Sequence, residues 1–154
     1  MNSWRIRLGT DDDHAFVLDL GLRTVADSIS HRRPAPLALA QVSFERLLDF
    51  VKGQSAITLI ADSSFDRLGF LILLDSLPDE VTSLPQAFVA YMAVEPHARR
   101  KGVGRGLLVA AEDLARERGL PFVALMVTED NMPARALYAQ AGYETERRLV
   151  CKRL

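Results

Sequence analysis

The sequence predicts one mixed α/β domain over residues 1–154. Helix-period apolar spacing alternates with apolar runs of strand length, and no linker, repeat or low-complexity tract divides them. Composition agrees: 154 residues, 49% hydrophobic, 25% charged and a formal net charge of -1. A chain of this length buries roughly 68–70% of its unfolded surface, enough for a core without disulfide or metal staples.

Trp4-Arg5-Ile6-Arg7-Leu8 alternates apolar and polar, the pattern of a half-buried strand. Thr10-Asp11-Asp12-Asp13 then offers N-cap oxygens for a helix whose apolar face carries Phe16, Val17 and Leu20. A break at His31–Pro36 precedes a second helix through Leu47, Leu48 and Val51, with Gly53 at its C-cap. Ala56–Ala61 and Gly69–Leu74 form a strand pair joined by a hairpin at Asp62–Asp66. After a polar loop, Asp75–Gln86, comes the strand Ala87–Val94. Val103, Leu107, Ala111 and Leu114 mark a helix over Val103–Arg118, which Gly119 and Pro121 end. Phe122–Val127 is expected to be a strand buried on both faces. Pro133 opens a short helix that stops at Gly142, and a last strand is expected over about Glu144–Lys152.

Several classes are excluded or disfavoured. The single cysteine, Cys151, permits no internal disulfide framework and favours a reducing cytoplasm. His14, His31 and His97 lie far apart, so no metal site is expected. Met1-Asn2-Ser3-Trp4-Arg5 lacks the apolar core of a secretory signal, and no apolar run approaches the ~20 residues of a membrane span. Even charge and the lack of interleaved aromatics disfavour nucleic-acid binding, although Arg99–Arg105 and Arg147–Arg153 are locally basic.

The most informative stretch runs from Met92-Ala93-Val94 through Pro96 to Arg99-Arg100-Lys101-Gly102-Val103-Gly104-Arg105. A strand here enters a helix through a basic, glycine-rich turn. Unpaired N–H groups and the positive helix end bind anions, and glycines let a phosphate approach the backbone. A diphosphate-bearing cofactor is the expected occupant. Leu107 stands where a dinucleotide fingerprint needs its third glycine, and no phosphate-loop Gly-Lys-Ser/Thr occurs. Arg99-x-x-Gly102-x-Gly104 after Val94-x-Pro96 instead resembles the acetyl-CoA-binding motif of the GCN5-related N-acetyltransferase (GNAT) superfamily. Gly-x-Gly alone would fit an ordinary basic turn; the whole stretch carries the resemblance. Asn131-x-x-Ala134-x-x-x-Tyr138-x-x-x-Gly142-Tyr143 resembles that superfamily's Asn…Tyr…Gly-Phe/Tyr segment at the same spacing. Alone, Tyr138 would read as a core aromatic.

The resemblance implies a mostly antiparallel sheet flanked by helices, with adjacent strands splaying to form the acetyl-CoA cleft. Met92 and Val94, with Ala93 between them, would bind the pantetheine arm through the main chain, as an added strand. Arg99, Arg100, Lys101, Gly102, Val103, Gly104 and Arg105 would hold the diphosphate, and Asn131 would contact the arm. Tyr138 would stand beside the thioester sulfur. Acetyl-CoA is then the co-substrate, a small-molecule or peptide amine the acceptor, and direct transfer the reaction; homodimers are common in the family.

A phenol of pKa ~10 is protonated at neutral pH and can donate to the departing thiolate. The general base is not legible. Some relatives carry Glu in the strand five residues before the Asn, where this chain has Met126. Glu95, Glu129 and Asp130 are nearby but read first as solvated turn carboxylates. An α-amine of pKa ~8 is neutral about one time in ten at pH 7, whereas neutralising a lysine amine costs roughly 4.6 kcal/mol. A low-pKa amine is therefore favoured. Asp75, Asp79 and Glu80 are candidates to attract a cationic acceptor, and His31, Arg32 and Arg33 an acidic one. Cys151 is expected to serve packing. A CoA-binding regulatory module without turnover is the alternative reading, disfavoured by Tyr138.

Overall fold

The computed structural model describes residues 3–154. Met1 and Asn2, part of the segment read above for a leader, lie outside the described residues. Five strands lie side by side in chain order: β1 (Trp4–Leu8), β2 (Ala56–Ser63), β3 (Arg67–Leu74), β4 (Ala87–Val94) and β5 (Val123–Leu125). The first four are antiparallel; β4 and β5 are parallel. A parallel neighbour needs a crossover, which α3 (Val103–Glu117) supplies. α4 (Met132–Gln140) follows β5, whereas α1 (His14–Thr24) and α2 (Leu37–Lys52) lie between β1 and β2 in sequence.

Strand alternation divides the core between the two sheet faces. Ile60, Phe70 and Ile72 pack with Leu20 of α1 and with Phe44 and Leu48 of α2. Leu59, Ala61, Leu71 and Leu73 pack with Val103, Leu107, Leu108 and Ala111 of α3. The predicted helix-face residues Val17 and Leu20 are buried. Thr10 precedes a 3₁₀ turn, Asp11–Asp13, and its N–H donates to Asp13 Oδ2 at 2.8 Å. Asp13 is itself buried, and it accepts from Arg7 at 2.8 and 2.9 Å and from Arg67 at 2.6 Å. That carboxylate joins the two strands to the start of α1.

Three expectations are corrected. The strand over Phe122–Val127 shortens to Val123–Leu125, half-buried, with Phe122 and Met126 exposed. Its ladder with β4 ends at the pair Val89–Leu125, so Met126 leaves the sheet. No strand follows α4 among the described residues: the chain from Glu144 to Lys152 is exposed and outside the sheet. Three-residue β5 offers it a short edge, and Arg147 instead binds Asp79 at 2.6 and 2.9 Å. Cys151 is exposed and fills no core position.

Candidate active site

The opening beside β4 begins with one extra residue. Ile72 faces Tyr91 and Leu73 faces Val89, so Ala90 is a β-bulge. Bulges bend a strand and re-aim its side chains. Here β4 loses β5 as a neighbour immediately before the bulge, at Val89, yet stays paired with β3 to Val94. The Glu95 N–H donates to Leu68 O at 2.8 Å, which fixes the direction of alternate backbone groups. Ala93 and Glu95 therefore address β3, whereas Met92 and Val94 address the open edge. The Val94 carbonyl there accepts from Arg99 Nε at 3.1 Å.

The edge leads directly to the basic turn. Residues Pro96–Ala98 make a 3₁₀ turn, Arg100 has φ +61°, and Gly102 caps α3 with φ +82°. Glycine fits that left-handed position without a Cβ penalty. The Gly106 N–H is bonded to Gly102 O at 2.9 Å, while the N–H groups of Val103, Gly104 and Arg105 belong to the unpaired first helical turn. Arg100, Lys101 and Arg105 are exposed around it. A Cβ on Gly104 would stand 3.0 Å from Leu137, so the starts of α3 and the flank of α4 approach closely. Glycine at 106 has a different cause: a Cβ there would meet the Trp4 ring at 2.6 Å.

Tyr138 projects from α4 onto the α3 side of the core, with its ring 6.1 Å from Tyr143. Burial pushes its phenol above the usual value, and the Tyr91 phenol adds to the shift. Tyr138 is thus a protonated donor at neutral pH, within electrostatic reach of Tyr91. The Tyr143 hydroxyl donates to Glu112 at 3.1 Å and is held strongly upward by burial and that carboxylate. Asn131 is the N-cap of α4, its Oδ1 accepting from the Ala134 N–H at 3.3 Å. Its amide nitrogen keeps its donors.

The acidic candidates are engaged elsewhere. Glu95 binds Arg23 at 2.6 and 3.0 Å, Asp75 binds Arg118 at 3.0 Å, and Asp130 takes the His31 backbone and ring, each at 2.7 Å. Asp79 is held well below the usual carboxylate range by Arg147 and Thr82. Glu80 and Glu129 are exposed. Asp75 and Asp79 are thus each paired with an arginine of the chain, and His31 is tied to the β5–α4 connection. Arg32 and Arg33 stay exposed. Sequence reasoning missed Tyr91, whose hydroxyl lies 3.0 Å from Thr24 Oγ1. The only signal was a phenol inside the apolar run Ala87–Val94. Among the described residues, no group of three or more His, Cys, Asp or Glu side chains could hold a metal ion, and no helix is long and apolar enough to cross a membrane.

A parallel strand that parts from its neighbour before a glycine-capped helix defines the acetyltransferase class of α/β fold. The chain belongs to the acetyltransferase (GNAT) family, whose model matches residues 33–143. It is 33% identical over 97 residues to YhfO of Bacillus subtilis (strain 168), described as an uncharacterized N-acetyltransferase; the match covers 62% of this chain and 64% of that protein. A solved chain from Pyrococcus furiosus superposes with TM-score 0.83 at 24% identity, covering 98% of this chain and 99% of that one. AAC(6')-Iy, solved with the bisubstrate analog CoA-S-monomethyl-acetylneamine, superposes with TM-score 0.68 at 20% identity, covering 99% of each chain.

Proposed function

We propose that residues 1–154 act as a single N-acetyltransferase domain that moves the acetyl group of acetyl-CoA directly to a primary amine of a small molecule or peptide. The observation that carries this reading is the unpaired edge of β4 at Met92 and Val94, continuous with the open N–H groups of α3. These residues fit the donor's chemistry. Main-chain groups at Met92 and Val94, with Ala93 between, suit the amides of a pantetheine arm. The turn from Arg99 to Arg105, including Arg100, Lys101, Gly102, Val103 and Gly104, suits a diphosphate. The Val94 carbonyl accepts one bond from Arg99 and keeps a second lone pair, and its N–H on the same edge is a donor. Asn131 contributes Nδ2–H, because its oxygen caps α4.

Acetyl-CoA supplies the acyl group as a thioester. As the amine nitrogen bonds the thioester carbon and the C–S bond breaks, the Tyr138 hydroxyl donates its proton, or a hydrogen bond, to the leaving sulfur; the proton shed by the nitrogen passes to solvent, which restores the phenol. A free N–H on the open β4 edge polarises the thioester carbonyl, as oxyanion donors do. No carboxylate of Glu95 or Asp130 is free to act as base, which fits an acceptor amine that reaches the site neutral.

The test is direct. Titration calorimetry with CoA should give saturable binding, and a thiol-release assay with an amine panel should give acetyl-CoA-dependent turnover. No affinity for CoA would overturn the reading. Binding with no turnover on any amine, unaffected by Tyr138→Phe, would replace it with a regulatory CoA-binding module.

A further inference from the structure

A cavity of about 310 Å³ lies between the 3₁₀ turn Val25–Ser28 that follows α1, the helix α2, and β4 at Tyr91. Its wall is made by Val25, Ile29, Ala40, Phe44, Leu47 and Tyr91, with Ser28 and Ser43 as the other polar contributors. No carboxylate and no cationic side chain lines it. Two ties hold its rim: Thr128 Oγ1 donates to Ser28 O at 2.8 Å, and His31 binds Asp130. The bulge at Ala90 places Tyr91 on this face, where its ring lies 4.8 Å from Phe44 and 5.8 Å from Phe70.

The hydrogen bonds around Tyr91 fix what it can offer a ligand. Thr24 Oγ1 lies 2.8 Å from the Leu20 carbonyl and 3.4 Å from that of Gly21. Both are acceptors only, so the single Thr24 proton points to the helix backbone. The 3.0 Å contact with Tyr91 is then made by the Tyr91 proton. What remains on the phenol oxygen is acceptor capacity. A group arriving beside it must donate, and an amine N–H does so.

We infer that this cavity takes the side group of the acceptor, and that the acceptor is a monoamine with a compact aliphatic or aromatic substituent whose N–H is received by Tyr91. The inference rests on the transferase reading and narrows its acceptor. An apolar wall disfavours the ammonium form of a bound amine, so it raises the neutral, nucleophilic fraction. That effect substitutes for the carboxylate that Met126 does not supply. A second or third cation on the acceptor finds no counter-charge among the lining residues, Asp27 being the one carboxylate whose field reaches Tyr91, and it costs desolvation. Polyamines and aminoglycosides are accordingly poor ligands. Tyr91 is a positioning and specificity residue, and Tyr138 remains the acid.

The experiment compares 2-phenylethylamine and isopentylamine with spermidine and kanamycin on the full chain, using calorimetry in the presence of CoA and thiol release from acetyl-CoA. The monoamines should bind, and their kcat/KM should exceed those of the polycations at least about tenfold, each tenfold being ~1.4 kcal/mol. Ala40→Leu, which fills the cavity, should raise KM for 2-phenylethylamine about tenfold and leave KM for acetyl-CoA within about twofold. Tyr91→Phe should raise KM for every monoamine while the circular dichroism spectrum is unchanged. Preference for spermidine or kanamycin, or no binding of either monoamine, overturns the inference while leaving the transferase reading intact if turnover occurs. Saturable binding of 2-phenylethylamine to wild-type protein, with no thiol released by any amine, keeps the cavity assignment and removes the transferase reading.

Discussion

Arg23, near the end of α1, grips both oxygens of Glu95, the residue just after β4, at 2.6 and 3.0 Å. The same guanidinium reaches Asp19 at 2.9 Å. The end of α1 is thereby fastened to the entrance of the basic turn. Glu95→Gln should weaken CoA binding by about fivefold, equivalent to ~1 kcal/mol, because the turn loses its tether while the phosphate-facing groups remain. Calorimetric titration with CoA measures this. An unchanged Kd would show that the turn holds its shape unaided.

Tyr138→Phe should lower kcat roughly 10²-fold with CoA affinity preserved, since only the donor to the leaving group is removed. The pH profile follows from the same hydroxyl. Burial raises its pKa, so the protonated, active form persists beyond the ordinary phenol value of ~10 and is lost only above it. Thiol release in alkaline buffers should therefore stay level to about pH 10 as far as this group is concerned. A decline in kcat at neutral pH with Tyr138 as its cause would contradict the assignment.

Asp13→Asn should cost about 2–3 kcal/mol of stability, because Arg7 and Arg67 lose a buried carboxylate although both keep contact with water. Arg7 chiefly, with the Thr10 N–H and Arg67, holds the carboxyl far below the usual range despite burial. A carboxylate with a depressed folded pKa stabilises above its unfolded value and loses that contribution as pH falls further. Wild-type stability should therefore fall steeply below about pH 4, and the variant's less so. Urea unfolding across the acid range distinguishes the two.

Gly106→Ala should destabilise by about 1–3 kcal/mol, because the new methyl meets the Trp4 ring at 2.6 Å and forces β1 and α3 apart. At Gly104 the obstacle is the end of the Leu137 side chain, 3.0 Å away, which can yield. Gly104→Ala should cost less. Thermal unfolding of the two variants ranks them.

Much of the strand–turn–helix unit was legible before folding. The strand Ala87–Val94 and the helix start at Val103 fall where their residues predict, because apolar period and glycine punctuation are local signals. The bulge at Ala90 was not legible, since nothing in Val89-Ala90-Tyr91 marks an unpaired residue. Without it, strand alternation alone does not say which face Tyr91 takes. The partners of Glu95, Asp79 and Asp130 lie 72, 68 and 99 residues away, beyond any local pattern. For the same reason the stretch from Glu144 to Lys152 has the alternation of a strand but lacks a ladder: a strand needs a neighbour, and β5 is three residues long.

Trp4 is the chain's sole indole, and its ring touches α3 at Gly106, in the turn whose preceding N–H groups are open. Emission excited near 295 nm therefore comes from one fluorophore, seated at the glycine-capped start of α3. The protein carries an intrinsic optical gauge of events at that helix, readable without dye or label.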